Sequence, residues 1–265
     1  MESRLNDQVL EVRDLEYEYV TGKGRFRAID HLSFSVREGE FVSIVGPSGS
    51  GKSTLLKTIA GLLKVTAGEI RVSGQVLTGQ IPPQVAVVFQ DYSRSLFPWM
   101  TVQENVEFPL KGKKFGRKEA AERSLESLVA VGLGDALKKY PWQLSGGMQQ
   151  RVAIARAIAY RPTLLLMDEP FASVDAQTRA DLEDLVLSIH QKYGTTILFI
   201  THDIDESIYL ADRVLVLSQP PARLKADLKV DLPRPRHQIQ TKQMPEFIRL
   251  RAEVSGMILQ PGLAR

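Results

Sequence analysis

The sequence predicts an α/β protein: a parallel sheet interrupted by a helical insertion. Three observations carry this. Short apolar runs ("FVSIVG", "VAVVFQ", "TLLLMDE", "TTILFIT" and "RVLVLS") recur along the chain, as strands buried on both faces do. Helical patterns separate the last three of them. Between Asp91 and Tyr160 the strand pattern stops and helical periodicity replaces it.

In chain order, "LEVRDLEYEY" and "HLSFSV" alternate apolar and polar residues, the mark of half-buried strands. "FVSIVG" predicts the first buried strand, and "KSTLLKTIAGLL" has helical spacing. "GEIRVSGQVL" predicts a hairpin turning at Ser73-Gly74-Gln75, and "VAVVFQ" a buried strand ending at Gln90. Thr101 and Glu104 make a capping box before "VQENVEFPLK". "KEAAERSLESLVAVGL" and the run after Ser145 predict two more helices. "AQTRADLEDLVLSIHQKY" and "DIDESIYLA" are helical spacers, and "MPEFIRLRAEVSGMIL" predicts a closing amphipathic helix.

The chain has 265 residues, enough for one large domain or two small ones. Lys and Arg number 34 against 31 Asp and Glu, and a net charge of +3 demands no nucleic-acid partner. Two local basic clusters, "KGKKFGRK" at Lys111 to Lys118 and "RPRH" at Arg234 to His237, read as solvated loops. The absence of cysteine excludes disulfides and thiolate metal sites and is compatible with a reducing cytosol. "MESRLNDQVLEVRD" lacks the apolar stretch of a signal peptide. Runs such as "LLLM" and "ILFI" are too short to span a bilayer, so a membrane role requires a partner or a surface contact.

The chemistry concentrates in a few places. Gly46, Pro47, Ser48, Gly49, Ser50, Gly51, Lys52, Ser53 and Thr54 fit the P-loop pattern, with a buried strand before it and a helix after it. Its glycines let backbone N–H groups surround phosphate oxygens at a helix N-terminus. Lys52 can neutralise phosphate charge, and Ser53 can offer its hydroxyl to Mg²⁺. "LLLMDEP" ends a strand in Asp168, suited to holding Mg²⁺, and Glu169, suited to polarising an attacking water. His202 closes another buried strand, where ligands of α/β sheets gather; its other reading is a helix cap or packed loop residue. Gln90 is either a ligand for Mg²⁺ or water, at a hinge to the helical insertion, or simply a polar strand end. Tyr17 and Tyr19 are alternative adenine-stacking rings and equally suit a core. Ser145, Gly146 and Gly147 form either a second anion-holding turn or only a tight helix start. No His or Asp cluster has transition-metal spacing.

The ordered set "GPSGSGKST", "VVFQD", "LSGGMQQR", "LLLMDEP", "SVD" and "ITHD" resembles the ATP-binding subunits of ABC transporters from Val9 to about Arg236. The resemblance implies a P-loop NTPase core of the ABC ATPase type, with a helical insertion subdomain and an N-terminal antiparallel β region. It implies an ATP-binding domain over residues 8–236, with the insertion at about 91–160, and a helical tail over 237–265. It implies Tyr19 against adenine and Gly46 to Thr54 around the phosphates. Ser53, Gln90 and Asp168 would serve Mg²⁺. Lys52, Glu169 and His202 would act catalytically, His202 at the γ-phosphate. Asp175 would cross a dimer interface. Ser145, Gly146, Gly147, Met148 and Gln149 would address ATP held by a second copy stacked head to tail. Val174 stands where the family usually has leucine, and Met148 where glutamine is common; neither removes a group the mechanism needs.

"SRSLFPWMTVQENVEFPL" and "PRPRHQ" with "MPEFIRLRAEV" look like the nitrate, sulfonate and taurine branch of the importers. That implies an ATPase powering a membrane importer of a small anion, attached to the cytoplasmic face of the inner membrane. Its implied partners are permease subunits and, through them, an extracytoplasmic solute-binding protein, with no nucleic acid. A soluble ABC-type ATPase acting on nucleic acid or ribosomes is the alternative; it usually needs tandem cassettes or a long coiled-coil insertion. Phe97, Pro98 and Trp99 form an apolar cluster that suits either docking on the membrane partner or packing inside the insertion.

Overall fold

The computed structural model describes residues 7–22, 24–91, 95–113 and 115–259. Met1 to Asn6 of the polar N-terminal stretch, Ser93 and Arg94 of the branch-like segment, Lys114 of the first basic run and the end of the proposed tail lie outside these residues.

Two sheets and a set of helices make three layers. Strands β1 (Gln8–Thr21), β2 (Gly24–Arg37), β4 (Ala67–Val72) and β5 (Gln75–Val76) form an antiparallel sheet in the order β2-β1-β4-β5. Strands β3 (Phe41–Val45), β6 (Val85–Val88), β7 (Leu164–Asp168), β8 (Thr196–Ile200), β9 (Arg213–Leu217) and β10 (Leu224–Lys229) form a second sheet, ordered β10-β9-β3-β8-β7-β6. It is parallel except for β10, which runs antiparallel to β9.

The apolar strands obey the two-residue period of side chains. Val42, Ile44, Leu164, Leu166, Leu198, Ile200, Leu215 and Leu217 face a core shared with the antiparallel sheet and helix α1 (Lys52–Ile59). Phe41, Val45, Leu165, Met167, Ile197, Phe199, Val214 and Val216 face the opposite core. Helices α2 (Val102–Glu107), α3 (Arg117–Ala130), α4 (Gly146–Ala159), α5 (Ala176–Tyr193), α6 (Ile204–Leu210) and α7 (Pro245–Leu259) supply the far side of that core. Both faces are covered, which is why these strands read as unbroken apolar runs.

The boundaries differ from the sequence reading in places with clear causes. Helix α1 stops at Ile59 because Gly61 takes φ +73, and a Cβ there would lie 2.3 Å from the Gln80 carbonyl oxygen. The hairpin turns on two residues, Ser73 (φ 48) and Gly74 (φ 77), with Gln75 already paired to Val72. Strand β6 ends at Val88, so Phe89 and Gln90 lie beyond it. Strand β10 has no apolar run to announce it; it is an edge strand, tied by Arg213 to Asp227 through bonds of 3.0 and 2.7 Å.

The reading of "RPRH" as a solvated loop fails at Arg236. This guanidinium is buried and donates to the carbonyls of Ile208 and Tyr209, at 3.3 and 2.7 Å, at the end of α6. A cation there complements the helix dipole. Burial lowers its pKa to about 10, so it stays charged at neutral pH.

Candidate functional site

The turn predicted to bind phosphate lies between β3 and α1, at the carboxyl end of a central strand. Gly51 caps α1 with φ +90, and a Cβ there would stand 2.9 Å from the Ala28 carbonyl oxygen. Only glycine meets both conditions. The next residue, Lys52, is buried, and its ammonium donates to the carbonyls of Gly46 (2.8 Å) and Pro47 (3.0 Å). The cation is thus held at the turn by the turn's own backbone. Burial pushes the Lys52 pKa down, while Glu169 and Asp168 oppose that shift.

Strand β7 delivers Asp168 and Glu169 beside this turn. The Ser53 hydroxyl donates to Asp168 Oδ1 at 3.2 Å. Burial raises the Asp168 pKa, and the Ser53 bond works against the rise. This hydroxyl–carboxylate pair is the hard oxygen donor set that suits Mg²⁺. Glu169 leaves the strand with φ +44, a left-handed conformation uncommon outside glycine. Its backbone N–H is held by the Ile200 carbonyl at 2.8 Å, which aims the side chain out of the sheet. Glu169 Oε2 then meets His202 Nδ1 at 2.9 Å, with the imidazole largely exposed.

Ser48 to Thr54, Glu169, Tyr19, Phe26 and Ala28 line an open cleft of about 350 Å³. Its size is that of a small-molecule site. The two tyrosines separate. Tyr19 is exposed on the cleft and its hydroxyl lies 2.9 Å from Thr54 Oγ1, whereas Tyr17 packs against the core. Phe26, across the ladder from Tyr19, is 52% exposed on the same cleft. Sequence reasoning missed it; its place opposite Tyr19 in the β1–β2 pairing is the only signal, and it needs the register. Gln90 is exposed beyond β6 and does not line this cleft.

The turn at Ser145 to Gly147, read as either a second anion-holding turn or a tight helix start, stands elsewhere on the chain. Ser145 caps α4, its hydroxyl accepting from the Met148 N–H at 3.3 Å. Ser145 and Gly146 are exposed, and Met148 leans on the core. Gln149 turns back, donating to the Pro141 carbonyl at 2.9 Å. Asp175 caps α5 by accepting from the backbone and hydroxyl of Thr178, at 3.0 and 2.7 Å, and those bonds hold its pKa down. The two helix starts touch: a Cβ on Gly147 would fall 2.6 Å from Thr178 Cγ2.

That approach gives a direct test. Gly147→Ala is expected to destabilise the chain by about 1–3 kcal/mol through overpacking. Thr178→Ser in the same chain removes the methyl but keeps the hydroxyl bond to Asp175, and should recover most of the loss in a thermal melt. An unshifted midpoint in Gly147→Ala would show that Thr178 yields freely.

Comparison with known proteins gives the family. Residues 29–172 match the family described as ABC transporter. A protein of Brucella abortus, named only for ATP binding, is 47% identical over 231 residues, 87% of each chain. The nitrate import ATP-binding protein NrtD of Synechocystis is 44% identical over 254 residues, 94% of each chain. The cassette MJ0796, solved as a dimer in a post-hydrolysis state with ADP and Pi, superposes with a TM-score of 0.72 at 32% identity, covering 83% of this chain and 98% of that one. A P-loop at the end of β3, a carboxylate pair at the end of β7, a glycine turn opening α4 and these matches place the chain in the family of ABC transporter ATP-binding proteins.

Proposed function

We propose that this chain hydrolyses ATP as one half of a head-to-tail pair, and that hydrolysis drives import of a small anion through a membrane permease. The observation that carries the reading is the separation of its two anion-holding turns. Gly46 to Thr54 belong to one cleft, and Ser145 to Gln149 contribute nothing to it. A second copy, turned head to tail, brings its exposed Ser145 and Gly146 to the phosphates held here. Similarity to NrtD, a nitrate import protein, supports transport; the cargo we propose is a small anion such as nitrate, taurine or an aliphatic sulfonate.

The residues divide the work. Tyr19 and Phe26 offer aromatic faces to adenine. The turn's N–H groups and Lys52 hold the phosphates. Ser53 and Asp168 would hold Mg²⁺, with Gln90 arriving only if the helical region moves toward the cleft. Mg²⁺ there would neutralise charge on the phosphates. Glu169 takes the proton of the attacking water, and His202, bonded to it, steadies the carboxylate and reaches toward the γ-phosphate. Asp175 faces the partner copy beside the turn at Ser145 to Gln149. Residues 8–236 act as the ATPase domain, with the insertion at about 91–160, and 237–259 as a closing segment.

Among the described residues no helix is long and apolar enough to cross a membrane. Attachment to the cytoplasmic face of the inner membrane therefore comes through permease subunits, which in turn receive cargo from a solute-binding protein. The docking surface is the aromatic cluster of the insertion. Trp99 is 70% exposed, beside Phe97 at 5.5 Å, and Phe97 lies 4.7 Å from the exposed Phe108. Asn105, fully buried, bonds the backbone of Phe97 on both sides, along with the carbonyls of Met100 and Thr101, so the loop does not depend on Trp99.

Trp99→Ala should therefore leave the isolated ATPase within about twofold of the parent. In vesicles with the permease, transport should fall at least about tenfold, as loss of an interface tryptophan typically does. Normal transport would reject the docking role.

A further inference from the structure

Beside Glu169 and His202 lies a small, partly open cavity of about 20 Å³. Its walls include Glu169, Arg179, Thr201, His202, Asp203 and Glu206. About 10–15 Å³ suffices for one water, provided two or more polar partners face it. We propose that Glu206 is a positioning residue for hydrolysis, acting on Glu169 through one buried water held in this cavity. The proposal rests on Glu169 being the general base.

Two residues that line the cavity carry independent observations. Among the described residues, Arg179 Nε is a buried donor with no partner, although another nitrogen of the same group reaches Asp203 Oδ2 at 3.5 Å. Leaving such a donor unmet is costly, and a water in the adjoining space meets it. Glu206 is a carboxyl 4% exposed, on the first turn of α6, and no ion pair to it is formed among the described residues. The Thr201 hydroxyl and the Arg179 charge favour its ionised form.

The electrostatics decide what Glu206 offers. From α5, Glu183 repels a charge on it and Arg179 attracts one; from the start of its own helix, Asp203 repels. Glu169 and His202 face it across the cavity from the ends of β7 and β8. In the closing segment, Lys242 reaches Glu183 (3.5 Å) and Arg251 of α7 reaches Asp205 (3.5 Å). Desolvation outweighs the cations and raises the Glu206 pKa to about 8. At neutral pH Glu206 is therefore a hydrogen-bond donor. Water in the cavity accepts from Glu206 O–H and Arg179 Nε–H, which leaves both its protons for acceptors, Glu169 among them. Glu169 is then fixed by His202 on one side and by this water on the other. Ionised Glu206 becomes an acceptor and draws a proton of the water away from Glu169.

The sign follows. Wild-type kcat should decline as pH rises through about 8, reaching about a tenth of its plateau at pH 9 if one proton controls it. Glu206→Gln keeps a donor in place without a titrating group. It should retain about a third or more of kcat at pH 7 and lose the alkaline decline. Glu206→Ala should lose about tenfold in kcat at pH 7 with KM for ATP within about twofold. The same decline in Glu206→Gln as in wild type, or full kcat in Glu206→Ala, would overturn the proposal. A high-resolution crystal structure of the wild-type chain supplies a second reading: a water within hydrogen-bond reach of Arg179 Nε supports it, and a collapsed or dry cavity rejects it. If the wild type shows no turnover, the general-base assignment fails, and the crystallographic water still decides whether Glu206 is linked to Glu169.

Discussion

Glu169→Gln should bind ATP, fail to cleave it and accumulate as a dimer. The amide keeps an oxygen that can accept from His202, which now lies 2.9 Å from Glu169 Oε2, so the site keeps its shape. What it loses is the basic oxygen that takes a proton from the attacking water. General bases contribute about 10²- to 10⁴-fold, and a fall of that size in kcat is expected. With cleavage blocked, ATP remains between the P-loop of one copy and the Ser145 to Gln149 turn of the other. Sedimentation with Mg-ATP should show a dimer that is absent without nucleotide. Adding Ser145→Arg should abolish it. Ser145 is exposed, and its small hydroxyl caps α4 beside Gly146. A long guanidinium there holds the glycine N–H groups away from the phosphate. Losing the cap costs about 1 kcal/mol, so a melting curve must show the double variant folded. A single variant monomeric at saturating ATP and high protein concentration, or a double variant that pairs equally well, would sink the head-to-tail arrangement.

Lys52→Ala should weaken ATP binding and remove hydrolysis. Each charge-assisted bond is worth about 1.5–3 kcal/mol, so affinity should fall about tenfold to a hundredfold. Rate loses more, because charge builds on the phosphates in the transition state and a preorganised cation is worth about 10²- to 10³-fold there. Lys52→Arg is not a rescue. The ammonium fits between two carbonyls at 2.8 and 3.0 Å, a point-charge geometry that a planar guanidinium does not share. The checks are calorimetric titration with ATP and release of phosphate. Turnover unchanged in Lys52→Ala would remove the P-loop assignment.

Much of the fold was legible because its causes are local. Both faces of the parallel strands are covered, so the runs are apolar throughout and stand out. The α5 helix begins after its Asp175 cap and ends before Gly194 in the left-handed conformation, signals carried by the residues themselves. The capping box at Thr101 and Glu104 is present as its spacing predicts. Strand β10 was not legible: half-buried "LKADLK" becomes a strand only because β9 lies beside it, with Arg213 reaching Asp227. Arg236 was misread for a related reason. Nothing adjacent to it in sequence tells that the end of α6 needs a cation.

The sequence by itself determined the family, the glycine-rich turn before α1, the carboxylates at the end of β7 and the start of α4. These depend on residue types at fixed spacing, where glycine, a capping hydroxyl or a strand end acts within a few residues of itself. Only the tertiary structure decided that Tyr19 rather than Tyr17 faces the cleft, that Phe26 joins it, and that Gly147 lies against Thr178. It also brought Arg179 and Glu206 to one cavity beside Glu169. Burial, and with it the protonation state of a carboxyl, belongs to whatever packs around a side chain, and here those neighbours come from four separate elements of the chain.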